Sequence, residues 1–86
     1  MKDIIAAKLT AAFSPAQLEV IDESHLHAGH AGARPGGETH FRVRIEAPAF
    51  NRTTRLQRHR LVNEALAEEL ATTVHALAID AKAPVV

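Results

Sequence analysis

Residues 39–46 read Thr-His-Phe-Arg-Val-Arg-Ile-Glu, and the reading of this stretch decides the fold. Phe41, Val43 and Ile45 fall on one side of an extended chain, while His40, Arg42, Arg44 and Glu46 fall on the other. Such alternation predicts a strand from Thr39 to Glu46, in a sheet with one covered and one wet face. Upstream, Leu18 to Glu23 predicts a second strand, with Leu18 and Val20 sharing a face. Before it, Asp3 is placed to cap a first helix, where Ile5, Leu9, Ala12 and Phe13 recur as one buried stripe. Pro15 ends that helix, because the residue before a proline is disfavoured in the α region.

Downstream, Ala47 to Asn51 is a connection from which the Phe50 ring is expected to return to the core. A second helix is expected from about Thr54 to Leu70, capped by Thr53 or Thr54. Its buried stripe is read as Leu56, Val62, Leu66 and Leu70. Val74 to Asp80 reads as a third strand with His75 at its leading edge, and residues 81–86 as a short tail. The expected order is helix, strand, strand, helix, strand. That is one α+β domain over residues 1–86, with two helices covering one face of a three-stranded sheet.

Eighty-six residues suffice for one small domain, and 47% hydrophobic content is too high for disorder. Much of that content is alanine and the only aromatics are three phenylalanines, so the core is expected to be thin and aliphatic. Ten basic and ten acidic residues cancel, giving no overall pull toward nucleic acid or an anionic membrane. With six histidines, net charge rises as pH falls through about 6.5. The absence of cysteine excludes disulfides, thiol catalysis and any thiolate metal site built by this chain alone. No apolar run approaches the roughly 20 residues that cross a bilayer, and no signal-peptide pattern opens the chain. The expected location is the cytoplasm.

The connection between the first two strands, within Asp22–Phe41 (DESHLHAGHAGARPGGETHF), concentrates four histidines and all four glycines. His25, His27 and His30 are spaced so that neutral imidazoles could converge on one cation. The competing reading is a solvated polar loop, about residues 24–38, since flexible loops rarely preorganise a site. Asp22, Ser24 and His25 lie close in sequence, but no nucleophile elbow accompanies them. His75, on pattern alone, reads as a partly buried histidine with a backbone hydrogen bond. The basic run Arg52, Arg55, Arg58, His59 and Arg60 precedes Glu64, Glu68 and Glu69, which is backwards for the helix dipole. A solvated face is the ordinary explanation. The reversed polarity points instead to an anion: phosphate, a glutathione carboxylate or an acidic partner surface. His59 falls inside the apolar stripe and reads as a packing residue first and a ligand second. Gly29-His30-Ala31-Gly32 matches the GXXG of KH nucleic-acid modules, where it joins two helices; here it lies between strands and reads as accidental.

LEVIDESHLHAGHAG, GGETHFRVRI, LQRHRLVNEALAEEL and VHALAI, in that order, resemble the BolA family over roughly Leu9 to Ile79. The resemblance implies a class II KH-like fold of order α-β-β-α-β. It also implies heterodimers with monothiol glutaredoxins of the CGFS type, in which a [2Fe-2S] cluster is shared. The glutaredoxin cysteine and a glutathione thiolate supply two ligands, and the BolA-like chain supplies the others. That division suits a chain without cysteine. The family's histidine in the VHAL motif matches His75. The second ligand comes from the loop after the first strand: counting from Asp22 selects His27, and counting back from His40 selects His30, which is preferred. The family is also associated with DNA binding and transcription regulation, for which Arg42, Arg44, Arg55, Arg58 and Arg60 would form the contact surface. No cofactor is expected in the isolated chain, no catalysis and no membrane association; a weak homodimer is a further expectation.

Overall fold

The computed structural model describes residues 1–23 and 40–84. The readings that fall on residues 24–39, including His25, His27, His30 and the GXXG match, lie outside the described residues, as do residues 85–86. The elements are α1 (Lys2–Phe13), β1 (Gln17–Asp22), β2 (His40–Glu46), a single 3-10 turn (Pro48–Phe50), α2 (Arg55–Ala65), α3 (Ala67–Thr72) and β3 (Ala76–Lys82). The sheet order is β1-β2-β3, with β2 antiparallel to β1 and parallel to β3. A parallel neighbour demands a long crossover, and α2 with α3 supplies it.

Register carries the alternation of β2 across the sheet. Val20 pairs with Val43 and Val43 with Ile79; Leu18 pairs with Ile45 and Ile45 with Ala81. This face packs under the helices, where Ile5, Leu9, Val62 and Leu66 are buried with Phe41, Val43 and Ile45. Phe50 is fully buried, as its sequence position suggests, and its ring centroid lies 5.1 Å from that of Phe13. The fold is the expected α+β mixed sheet with helices on one face.

Six local expectations need correction. Met1 rather than Asp3 occupies the first N-cap, leaving Asp3 in the first turn where a carboxylate suits the dipole; Ala12 is exposed. The helix closes on Ser14, left-handed at φ 44°, whose N–H donates to the Thr10 carbonyl at 3.0 Å just before Pro15. The second helix is two: Leu66 leaves helical geometry (φ −108°, ψ 19°) between α2 and α3. Leu56 is 60% exposed, not part of the buried stripe. At 100° per residue it stands about 120° round the axis from Val62, so burying Val62 turns it outward. Finally, β3 begins at Ala76 rather than Val74. Val74 is buried in the connection and His75 precedes the strand, exposed rather than partly buried.

Candidate functional site

His75 is held by its neighbours. The N–H groups of Thr73 and Val74 both donate to the Glu69 carbonyl, at 2.9 and 2.8 Å, which fastens the end of α3. Val74 is then anchored in the core, and Ala76 pairs with His40 at the start of the parallel ladder. Exposed His75 therefore projects from a rigid junction. Its ring meets that of half-buried His40 edge-on, with centroids 6.3 Å apart and planes at 73°. In the sequence His40 stands on the wet face of β2 and among the four histidines of Asp22–Phe41, with nothing to pair it with His75. Its proximity to His75 comes from β2–β3 register, which spacing along the chain does not encode.

Residues 24–39, which carry His25, His27 and His30, are flanked in sequence by Glu23 and His40. Glu23, its last described residue before the segment, donates its N–H to the His40 carbonyl at 2.8 Å. Glu23 and His40, the described residues on either side of 24–39, thus meet at the end of the sheet where His75 stands. Among the described residues no cluster of three or more His, Cys, Asp or Glu forms a metal site. The described part of this site is two imidazoles, suited to supply nitrogen donors but no thiolate.

The basic residues divide by environment. On the open sheet face, Arg42 Nε meets Glu23 Oε2 at 3.0 Å and Arg44 meets Glu19 at 3.6 Å. Arg58 turns inward: Nε donates to Thr53 Oγ1 at 3.0 Å, Nη2 to the Thr53 carbonyl at 3.2 Å and Nη1 to the Ala81 carbonyl at 3.3 Å. Arg55 and Arg60 are exposed, and His59 is half-buried. The site expectations are therefore spread over three places: His75 with His40 at one end of the sheet, Arg42 and Arg44 on its open face, and Arg55, Arg58 and Arg60 at the start of α2. The start of α2 lies by the far end of β3, because Arg58 reaches Ala81. No described helix is long and apolar enough to cross a membrane.

Comparison with known proteins gives one family. BolA-like protein 1 of Mus musculus is 56% identical over 80 residues, covering 93% of this chain and 56% of the mouse protein, so the chain spans about half its length. The DNA-binding transcriptional regulator BolA of Escherichia coli is 47% identical over 79 residues, covering 92% of this chain and 71% of that protein. The solved BolA domain of SufE1 from Arabidopsis thaliana superposes with a TM-score of 0.86 at 43% identity, covering 96% of this chain and 91% of that one. With residues 9–85 matching the BolA-like protein family as a whole, the chain belongs to the BolA-like family.

Proposed function

We propose that this chain is a non-catalytic cytoplasmic adaptor that pairs with a monothiol glutaredoxin of the CGFS type. In the pair it helps hold a [2Fe-2S] cluster shared with glutathione, for iron–sulfur assembly, trafficking or iron regulation. The observation that carries the reading is the end of the sheet where exposed His75 adjoins the His40 ring, and where Glu23 and His40, which flank the histidine-bearing segment in sequence, are hydrogen-bonded. A chain with histidines but no cysteine can complete such a ligand set only beside a partner that brings thiolates. When bound, the cluster supplies the transferable iron and sulfide, or the redox centre. The residues here supply nitrogen: His75, and His30 or His27 from the connection, with His40 a further imidazole at the same edge. Exposure of His75 leaves it open to a partner's approach, and its fixed backbone limits the ordering cost of binding. Imidazoles ligate only when neutral, so binding weakens in acid.

The test is co-reconstitution with a CGFS glutaredoxin, glutathione, iron and sulfide, followed by visible circular dichroism. Wild type should alter the glutaredoxin cluster spectrum and His75→Ala should not; His30→Ala, His27→Ala and His40→Ala then rank the second ligand. An unchanged spectrum with wild type would remove the reading.

A DNA-binding regulator is the second reading, favoured by the described function in the name of the E. coli relative and by exposed Arg55 and Arg60. Arg42 and Arg44 serve it less well, because each is engaged by a glutamate, and net charge is zero. DNA binding should show a steep loss of affinity with salt that Arg55→Ala reduces.

A further inference from the structure

The first turn of α2 gathers several locally unfavourable features that the fold does not need. Leu56 is 60% exposed, the most exposed large apolar residue among those described. Arg52, in the turn before the helix, holds a left-handed backbone at φ 60°, where glycine would sit without strain. Arg52, Arg55 and Arg60 are exposed and make no ion pair or hydrogen bond through their side chains among the described residues. Arg52 and Arg55 also place positive charge at the positive end of a helix dipole. By contrast Arg58, in their midst, is satisfied inside the protein. Exposed apolar surface and unpaired charge gathered together at the start of one helix mark a surface kept for another purpose.

We propose that Leu56, with Arg52, Arg55 and Arg60 around it, is a docking site for an acidic protein surface that carries an apolar anchor. Charge selects the occupant: unpaired Arg55 and Arg60 neighbour Leu56 along α2, Arg60 one turn on, and Arg52 lies in the turn before the helix, on a chain whose net charge is zero. The exposed leucine at its centre favours a protein over a phosphate backbone, because a desolvated apolar contact flanked by arginines is how protein hot spots are built. Position makes the site separate from His75. Arg58 fastens this turn to Ala81, and β3 runs from there back to His75, a span of about 20 Å at about 3.3 Å per residue. A partner here and a ligand at His75 therefore bind at opposite ends of the sheet and can be held together, whatever that ligand is.

Fluorescence anisotropy at low salt tests this with three labelled probes: a poly-aspartate peptide with one central phenylalanine, the same peptide with glycine in its place, and a short DNA duplex. The anchored peptide should bind wild type, and lose at least about fivefold in affinity to Leu56→Ser and to the Arg55→Gln/Arg60→Gln double variant. His75→Ala should bind it as wild type does, so failure of the cluster reading leaves this result untouched. Both changes are at exposed positions, and unchanged far-ultraviolet circular dichroism confirms that the variants fold. No binding by wild type, equal binding of the glycine peptide, indifference to Leu56→Ser, or tighter binding of the duplex each overturns the proposal.

Discussion

Arg58 differs from its neighbours only in where its guanidinium ends. The run Arg55, Arg58, His59, Arg60 looks uniform in sequence, yet Arg58 alone spans from the Thr53 turn to the Ala81 carbonyl. A planar fork serves those acceptors together and a lysine ammonium cannot. Arg58→Ala is expected to destabilise by about 2–4 kcal/mol, since hydrogen bonds from a charged donor are worth roughly 1.5–3 kcal/mol each and these are half-exposed. Arg58→Lys should recover little of it. Arg55→Ala and Arg60→Ala should stay within about 0.5 kcal/mol, as exposed side chains without partners do. Urea denaturation of the three variants separates the cases, and equal losses at all three would refute the distinction. His75 shows the same limit from the other side. Its motif made it legible, but its exposure and its contact with His40 depend on burial of Val74 and on the register of β3.

At the scale of elements, alternation was the dependable signal. All three strands were legible because period-two patterning in β2 left one face to cover, and the pairing partners repeat it. The second helix was legible as helix but not in its phase. Thr54 does cap it, in a reciprocal box where Gln57 N–H donates to Thr54 Oγ1 and Thr54 N–H to Gln57 Oε1. Thr54→Ala should cost about 1 kcal/mol. The break at Leu66 leaves no mark in composition: no proline or glycine stands there, and what holds the two halves is tertiary burial. The phase error makes a sharp contrast. Leu66→Ala, at a fully buried site, should cost about 2–5 kcal/mol, whereas Leu56→Ala should cost under about 0.5 kcal/mol. Chemical denaturation of the pair decides it, and comparable losses would restore the continuous stripe.

Across the whole molecule, Lys8 joins the first helix to the last by ion pairs to two glutamates. Lys8 Nζ on α1 lies 2.5 Å from Glu69 Oε2 and 3.3 Å from Glu68 Oε2 on α3, 61 and 60 residues away. Glu69 is buried, and its other carboxylate oxygen, Oε1, has no hydrogen-bond partner among the described residues. A buried carboxylate is tolerated only with a cation at hand, so Lys8 serves Glu69 more than the reverse. The same Glu69 receives Thr73 and Val74 on its carbonyl, which ties the pair to the junction that presents His75. The hydrogen bond to Glu69, foremost, holds the Lys8 pKa above its ordinary 10.5. The folded state thus binds this proton more tightly than the unfolded chain does. Its contribution to stability is complete below pH 10.5 and fades as pH rises through the raised value. Lys8→Met should therefore lower the unfolding midpoint by a constant amount from neutral pH up to that threshold, and the gap from wild type should close above it. Thermal melts of the two proteins from pH 7 to 12 measure it; no gap at pH 7, or a gap that widens toward pH 12, would mean the pair does not hold the helices together in this way.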